Sequence, residues 1–339
     1  VLPRCGVQLV LGWALSQASK ERAAAGGGGE GCKIALCGEG GCALFLSCSM
    51  VPASRLTGPG ICEREGRAAM TTQASNFTGN IPELYDENLG PRIFLPYARD
   101  MARRVVETAP EDVLEIAAGT GILSREIKDA LPQGSHLTIS DLNPPMLEVA
   151  RTKFKAQEHV EIRQADATAL PFATATFDVV CCQFGVMFFP DKPQAYREAH
   201  RVLREGGRYL FSVWGPFEEN AFGRIAQETI AGFFDADPPT FYRTPFGYHD
   251  VDAIEASLAD AGFHRVASHR VRRDVDVPDA AHFARGLVLG NPVAEEIRTR
   301  TSADTEAVIA TLTVALQNAF GRDPGRMTLN AIILQADKD

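Results

Sequence analysis

Beyond residue 69 the sequence nearly lacks cysteine. Six of its eight cysteines (Cys5, Cys32, Cys37, Cys42, Cys48 and Cys62) come earlier, and only the adjacent Cys181 and Cys182 follow. Two neighbouring thiols in an apolar run build neither a disulfide framework nor a C-x-x-C metal site, so a reduced, cytoplasmic protein is expected. From Met70 onward no stretch approaches the roughly 20 apolar residues of a membrane span. Positive charge is short as well: 34 Lys and Arg stand against 43 Asp and Glu, a net of -9. Such a surface repels polyanions, which argues against a nucleic-acid partner. There is no internal repeat, and nothing in the composition sets the oligomeric state.

The first 69 residues differ from the rest. They hold the run Gly26 to Gly29, no sustained periodicity, and an apolar stretch from Cys42 to Val51 without the basic flank of a signal peptide. The chain opens at Val1, and Glu63-Arg64-Glu65-Gly66-Arg67 would be encoded by purine-rich codons just ahead of Met70. The expectation is that residues 1–69 are a non-native or disordered leader and that the native chain starts at Met70. Residues 70–339 would then form a single α/β domain, with cap insertions at about 215–249 and 276–302.

What this remainder does contain is the stretch Val113-Leu114-Glu115-Ile116-Ala117-Ala118-Gly119-Thr120-Gly121, followed by a helical pattern from Ile122. It reads as strand, tight glycine turn, helix. Gly119 and Gly121 lack a Cβ, so a ligand can approach the main chain while the helix N-terminus offers free N–H groups. Twenty residues after Gly121, the strand Leu137 to Ser140 leads into Asp141. That is the interval at which an acidic residue ending a second Rossmann-like strand meets ribose hydroxyls. A third strand, Val160 to Arg163, ends near Asp166, and the apolar run Phe177 to Cys182 suits a strand buried on both faces. The helix Lys192 to Leu203 is expected to stop at Gly206-Gly207, before a fifth strand from Arg208 to Trp214.

Strand and helix alternate five times, which predicts an α/β fold with a doubly wound parallel sheet. After Trp214 the rhythm breaks into two helix-bearing insertions, and two late strands would complete seven. Ahead of the first strand, Tyr85 and Arg92 stand where they could reach a ligand carboxylate. Phe184, Met187, Phe188, Trp214 and Phe217 gather at the carboxyl edge of adjoining strands, as an aromatic-walled pocket for a hydrophobic or ring-bearing acceptor would require. His249 and Tyr248 end the first insertion and are the leading candidates for a general base, should the reaction need one.

The chain resembles the class I S-adenosylmethionine-dependent methyltransferases, and within them the small-molecule group of quinone-biosynthesis C-methyltransferases (type 11). The resemblance covers about residues 76–339. It rests on Glu115-x-Ala117-x-Gly119-x-Gly121, Asp141-Leu142-Asn143-x-x-Met146-Leu147, Ala165-Asp166-Ala167 with Leu170-Pro171-Phe172, Phe177-Asp178, and Arg201-Val202-Leu203-x-x-Gly206-Gly207. It implies a Rossmann-like sheet of seven strands with the last antiparallel, and S-adenosyl-L-methionine as cofactor, leaving as S-adenosyl-L-homocysteine. It further implies that Glu115, Ala117, Gly119 and Gly121 line the methionine end and that Asp141 holds the ribose. Leu142 and Met146 would flank the adenine, Asp166 and Ala167 would meet its edge, and Gln183 would face the sulfonium and take part in catalysis.

Two departures qualify it. Ala117 and Ala118 replace glycines common in the first motif, which a tight turn tolerates only if the dihedrals there are ordinary. Ser124 stands where a nicotinamide-binding Rossmann unit would prefer a third glycine. Asn143-Pro144-Pro145 imitates the tetrad of amino-methylating nucleic-acid enzymes but follows the second strand, not the fourth. Gln183 and Trp214 end strands four and five, where a magnesium-dependent enzyme would place oxygen ligands, so no metal is expected. The expected function is metal-independent methyl transfer to a small, hydrophobic or aromatic acceptor. The alternatives are a nicotinamide-dependent oxidoreductase and a non-catalytic, adenosylmethionine-binding regulatory protein.

Overall fold

A computed structural model describes residue 77, residues 79–322 and residues 324–339; the expected leader and the Met70 start lie outside them. Helix α1 (Ile81–Asn88) runs through a π-helical turn (Gly90–Phe94) into α2 (Leu95–Val106). There follow β1 (Asp112–Ile116), α3 (Ile122–Ala130), β2 (His136–Asp141), α4 (Pro144–Arg151), β3 (Val160–Gln164), β4 (Phe177–Gln183), α5 (Lys192–Val202) and β5 (Leu203–Trp214). The remainder is α6 (Ala221–Ala231), α7 (Arg243–Phe246), α8 (Val251–Asp260), β6 (Arg265–Val277), α9 (Ala280–Leu289), α10 (Val293–Arg300), α11 (Thr305–Phe320) and β7 (Gly325–Asp337).

The seven strands form one sheet in the order β3-β2-β1-β4-β5-β7-β6. β1 pairs in parallel with β2 and β4, while β7 runs antiparallel between β5 and β6. The expected doubly wound, mostly parallel sheet with helical insertions after strands five and six is therefore present. β1 and β4 carry near-continuous apolar runs because helices cover both faces; Val113, Leu114, Val179, Val180, Cys181 and Cys182 are wholly buried. Burial pushes both thiols well above their ordinary range, which leaves them protonated core side chains.

Local chemistry sets the helix starts. Asp191, Asp250, Asp279 and Asp304 each accept a backbone N–H from the first turn of the helix that follows. Pro144 and Pro145 occupy the opening of α4, where a missing N–H costs nothing, so the Asn-Pro-Pro sequence is a helix start. The glycine stop expected for α5 is misplaced: the helix ends at Val202, and Leu203 is already extended. Gly206, at φ +75°, and Gly207 lie in the irregular opening of β5, where the β4–β5 register shifts between Phe177 and Val179. A Cβ at Gly207 would sit 2.7 Å from the Arg204 carbonyl, so these glycines serve the bulge.

Candidate active site

The strand order reverses direction between β1 and β4, and the crevice outside the carboxyl ends of the strands there is where open α/β sheets bind ligands. A cavity of about 330 Å³ occupies that place. Its floor is the turn after β1. Ala117 is left-handed at φ +52°, as are Gly119 at +55° and Gly121 at +78°. The expectation that the alanines require ordinary dihedrals fails at Ala117, where the turn holds an L-residue in a conformation costing roughly 1–2 kcal/mol.

The methyl group of Ala117 also explains a glycine. A Cβ placed on Gly185, just after β4, would lie 2.6 Å from the Ala117 Cβ and 2.7 Å from the Cys182 Sγ. Gly185→Ala should therefore destabilise the protein by roughly 1–3 kcal/mol through overpacking. Combining it with Ala117→Gly should recover part of that loss, because one of the two colliding atoms is gone while the Cys182 Sγ remains. Thermal or urea unfolding of both variants checks this, and an uncompensated double variant would refute the contact.

Asp141 closes the second wall and is 7% exposed. Its Oδ2 accepts the Gly119 N–H at 2.8 Å, and its Oδ1 accepts the Asn143 N–H at 2.8 Å. The carboxylate thus fastens the glycine turn to the loop before α4 while keeping lone pairs for a ligand. Burial raises its pKa and the backbone donors of Asn143 and Gly119 oppose that rise. Glu115 is 1% exposed and takes a hydrogen bond from the Ser124 hydroxyl at 2.6 Å. Burial chiefly pushes its pKa up to about 8, the Ser124 bond opposes the shift, and the nearby Asp141 charge adds to it. Ser124, read from the sequence only as a missing glycine, is the partner that satisfies this buried carboxyl.

Of the residues expected to bind a cofactor, Tyr85, Glu115, Ala117, Gly119, Asp141, Leu142, Met146, Asp166, Ala167 and Gln183 all line the cavity. Leu142 is one of the few large apolar side chains left exposed among the described residues, at 50%, and the exposed Asp166 folds its own turn by accepting from Thr168. Two expected residues do not line it. Gly121 faces α4, where a Cβ would meet the Ala150 Cβ at 2.9 Å, so its bareness serves helix packing. Arg92 lies in the π-helical turn and donates back to the Asn88 carbonyl.

A second cavity of about 50 Å³ adjoins the first, and Phe77, Tyr85, Phe94, Phe184 and Phe188 line both. Trp214 belongs to the second, stacked on Phe184 with ring centroids 4.0 Å apart. Met187 and Phe217 line neither cavity; Met187 is buried in the core and Phe217 packs on Phe246. His249 and Tyr248 also line neither. The His249 Nδ1 pairs with the Phe246 carbonyl at 2.8 Å and the Tyr248 hydroxyl with that of Tyr196 at 2.9 Å.

Sequence reasoning missed Asp86. It accepts from the Thr120 hydroxyl at 2.7 Å and the Lys153 ammonium at 2.5 Å, tying α1 to the glycine turn and to the end of α4. Phe77, Phe94, Ser140, Asn143 and Pro190 were missed as well; of these only Asn143 stood inside a motif.

A Rossmann-like sheet with an acid-flanked glycine turn, a buried carboxylate ending β2 and a cleft at the switch point defines a nucleotide-cofactor enzyme. Comparison with known proteins makes the class specific. The family described as a methyltransferase domain matches residues 114–211. The demethylmenaquinone methyltransferase of Thermus thermophilus is 38% identical over 180 residues, covering 50% of this chain and 81% of that protein. The demethylmenaquinone methyltransferase of Deinococcus radiodurans is 35% identical, covering 38% and 54% respectively. The ubiquinone/menaquinone biosynthesis C-methyltransferase of Pectobacterium atrosepticum is 30% identical, covering 48% and 60%. Among solved structures, phosphoethanolamine N-methyltransferase 2 of Haemonchus contortus, in complex with S-adenosyl-L-methionine, aligns with TM-score 0.49 at 17% identity over 76% of this chain and 56% of that one. The chain belongs to the S-adenosylmethionine-dependent methyltransferases, in the quinone-biosynthesis group.

Proposed function

We propose that this chain transfers the methyl group of S-adenosylmethionine to a small, apolar, ring-bearing acceptor. The carrying observation is the pair of cavities that share one aromatic wall, a cofactor-sized cleft beside an apolar recess lined by Trp214, Phe222, Phe246 and Leu287. The names of the curated relatives make a quinone-type ring the first acceptor to test. In this reading the cofactor lies in the larger cavity, with Asp141 accepting from the ribose, Leu142 and Met146 on either side of the adenine, and Asp166 and Ala167 at its edge. Glu115 and the turn from Ala117 to Gly119 take the methionine end, and S-adenosylhomocysteine leaves.

The cofactor supplies an already activated methyl group, so the protein has to align the acceptor with it and keep water out. Gln183 stands at the wall of the larger cavity with its Nε2 donating to the Phe94 carbonyl at 3.4 Å and its buried Oε1 without a protein partner. An acceptor that donates a hydrogen bond satisfies that oxygen and is held by it. The reading gives His249 and Tyr248 no part in the chemistry. Among the described residues no group of three His, Cys, Asp or Glu is placed to hold a metal ion. No helix among them is long and apolar enough to cross a membrane.

Transfer of a labelled methyl group to a panel of hydroxylated ring compounds tests the function. Product with none of them, despite tight binding of S-adenosylhomocysteine, favours a non-catalytic role; binding of NADH in its place returns the oxidoreductase reading. Trp214 sharpens the assignment of the recess. It is 3% exposed and meets Phe94, Tyr97, Phe222 and Phe246 as well as Phe184, so alanine there would cost about 3–5 kcal/mol of stability and blur the result. Trp214→Phe keeps the core filled. It should lower turnover about tenfold, the loss of roughly 1.4 kcal/mol of transition-state alignment, while S-adenosylhomocysteine affinity changes less than about threefold. Loss of cofactor affinity in its place would show that the recess is misassigned.

A further inference from the structure

β6 is an edge strand of thirteen residues. Along one side it pairs with β7 from Arg265 to Val277, and its other side pairs with no strand among the described residues. A long edge with free N–H and C=O groups is a template for another strand unless the sequence guards it. The guard here has an unusual symmetry. Reading outward from Arg273 in both directions, Arg272 is matched by Asp274, Val271 by Val275, and Arg270 by Asp276. Strand alternation puts the four matched charges on one face, where all are exposed, and puts Val271, Arg273 and Val275, each half-buried, on the other.

We propose that β6 is a homodimer interface, in which two copies of this chain pair antiparallel across a two-fold axis at Arg273 and continue the sheet from one protomer into the next. Directly opposed residues of an antiparallel pair share a face with Cβ atoms about 4.5–5.5 Å apart. With the axis at Arg273, each Arg270 faces the Asp276 of the other copy, each Arg272 faces Asp274, and valine faces valine. Moving the axis one residue either way sets Arg272 or Asp274 against its own copy. Charged residues on an edge usually discourage pairing; here the register centred on Arg273 sets all four of these charges against an opposite one.

The four charges are exposed in the monomer, with Asp274 also accepting from the Thr328 hydroxyl at 2.7 Å. Arg272 and Arg270 are 69% and 64% exposed, with their nearest carboxylate oxygens at 3.5 Å on Asp274 and 3.9 Å on Glu219. Arg273 meets its own copy at the axis; it lies on the opposite face, where the Asp100 carboxylate of α2 pairs with it at 3.1 Å and also with Arg103 and Arg104. Pro278, which has no N–H, ends the ladder after Val277.

Sedimentation equilibrium of the full chain provides the test, since none of these residues belongs to either cavity. The unmodified chain should be dimeric at micromolar concentration. Reversing both arginines (Arg270→Asp with Arg272→Asp) should raise the dissociation constant on the order of a hundredfold, because four attractions become repulsions, and reversing both aspartates (Asp274→Arg with Asp276→Arg) should do the same. An equimolar mixture of the two double variants should recover dimers, detected as heterodimers by native mass spectrometry. If either double variant fails to fold, the variant carrying all four reversals decides the matter: it inverts every pair and should dimerise like the original. A monomeric unmodified chain, a dimer indifferent to the reversals, or a mixture that stays monomeric overturns the proposal.

Discussion

Asp141→Ala is expected to weaken binding of S-adenosylhomocysteine by at least about a hundredfold. Two effects add. The proposed ribose hydroxyls lose a charged acceptor, and hydrogen bonds to charged groups are worth about 1.5–3 kcal/mol each. The turn also loses its tie, because the Gly119 and Asn143 amides both donate to this carboxylate. Without it, the left-handed conformation at Gly119 has no partner holding its N–H towards β2. Asp141→Asn removes the charge and part of the tie together: the amide retains one accepting oxygen and turns a donor towards the other backbone N–H, so cofactor affinity should fall nearly as far as in the alanine variant. A thermal-shift titration reads this directly, since saturation a hundredfold above the dissociation constant stabilises the native state by roughly 2.7 kcal/mol. An undiminished shift in Asp141→Ala would show that the ligand is held elsewhere.

The second large effect concerns Glu115. Its carboxyl moves from an ordinary value of 4.5 to about 8 on folding, mainly through burial. Below pH 4.5 folded and unfolded chains both carry the proton. Between that value and about 8 the folded chain binds more protons than the unfolded one, so stability falls as pH rises through this window and levels off above it. Glu115→Gln removes this contribution. It should be more stable than the unmodified protein at pH 8, on the order of a few kcal/mol, and should show a flatter melting temperature from pH 5 to 8. Asp141, also raised by burial, leaves a residual slope of the same sign.

Binding follows from the same group. A cofactor whose methionine end carries positive charge favours the ionised carboxylate, so its binding at pH 7 should release a proton. Calorimetry in two buffers of different ionisation enthalpy would detect that release in the unmodified protein and its absence in Glu115→Gln. An unchanged pH slope in the variant would mean that Glu115 does not hold its proton in the folded state.

Much of the larger cavity was legible because its residues sit in short local motifs whose spacing follows from the fold. A glycine turn after β1 and an acid ending β2 need to be about twenty residues apart, since one helix and one strand separate them. That relation placed Gly119 and Asp141 without any tertiary information, the end of β3 placed Asp166, and the family resemblance added Glu115 and Ala167. Gly121 was read as facing a ligand, and sequence does not show that Ala150 of α4 lies 2.9 Å from where its Cβ would stand.

Fewer of the residues expected on the acceptor side line a cavity, and the reason is the insertions. His249 was favoured because it ends a long excursion after strand five, yet the direction of a side chain on a loop depends on partners far away in sequence. The Phe246 carbonyl and the Asp250 helix start fix that loop, and the ring pairs with the former. Phe77 and Phe94 come from the segment before β1, α9 supplies Leu287, and α6 and α7 supply Phe222 and Phe246. Only packing brings such distant positions to one wall.

The sequence by itself determined the alternation of strands and helices, the glycine turn and the carboxylates that flank it, because hydrophobic period, caps and motif intervals are local properties of a chain. The tertiary structure alone decided which aromatics line a cavity, and it gave Ser124 its buried carboxyl and Gly185 its bareness. It also made β6 an edge, for the antiparallel β7 inserts between β5 and β6 and leaves Arg270 to Asp276 on the rim. Each of these depends on atoms brought together across tens to hundreds of residues, where the deciding quantities are distance and burial.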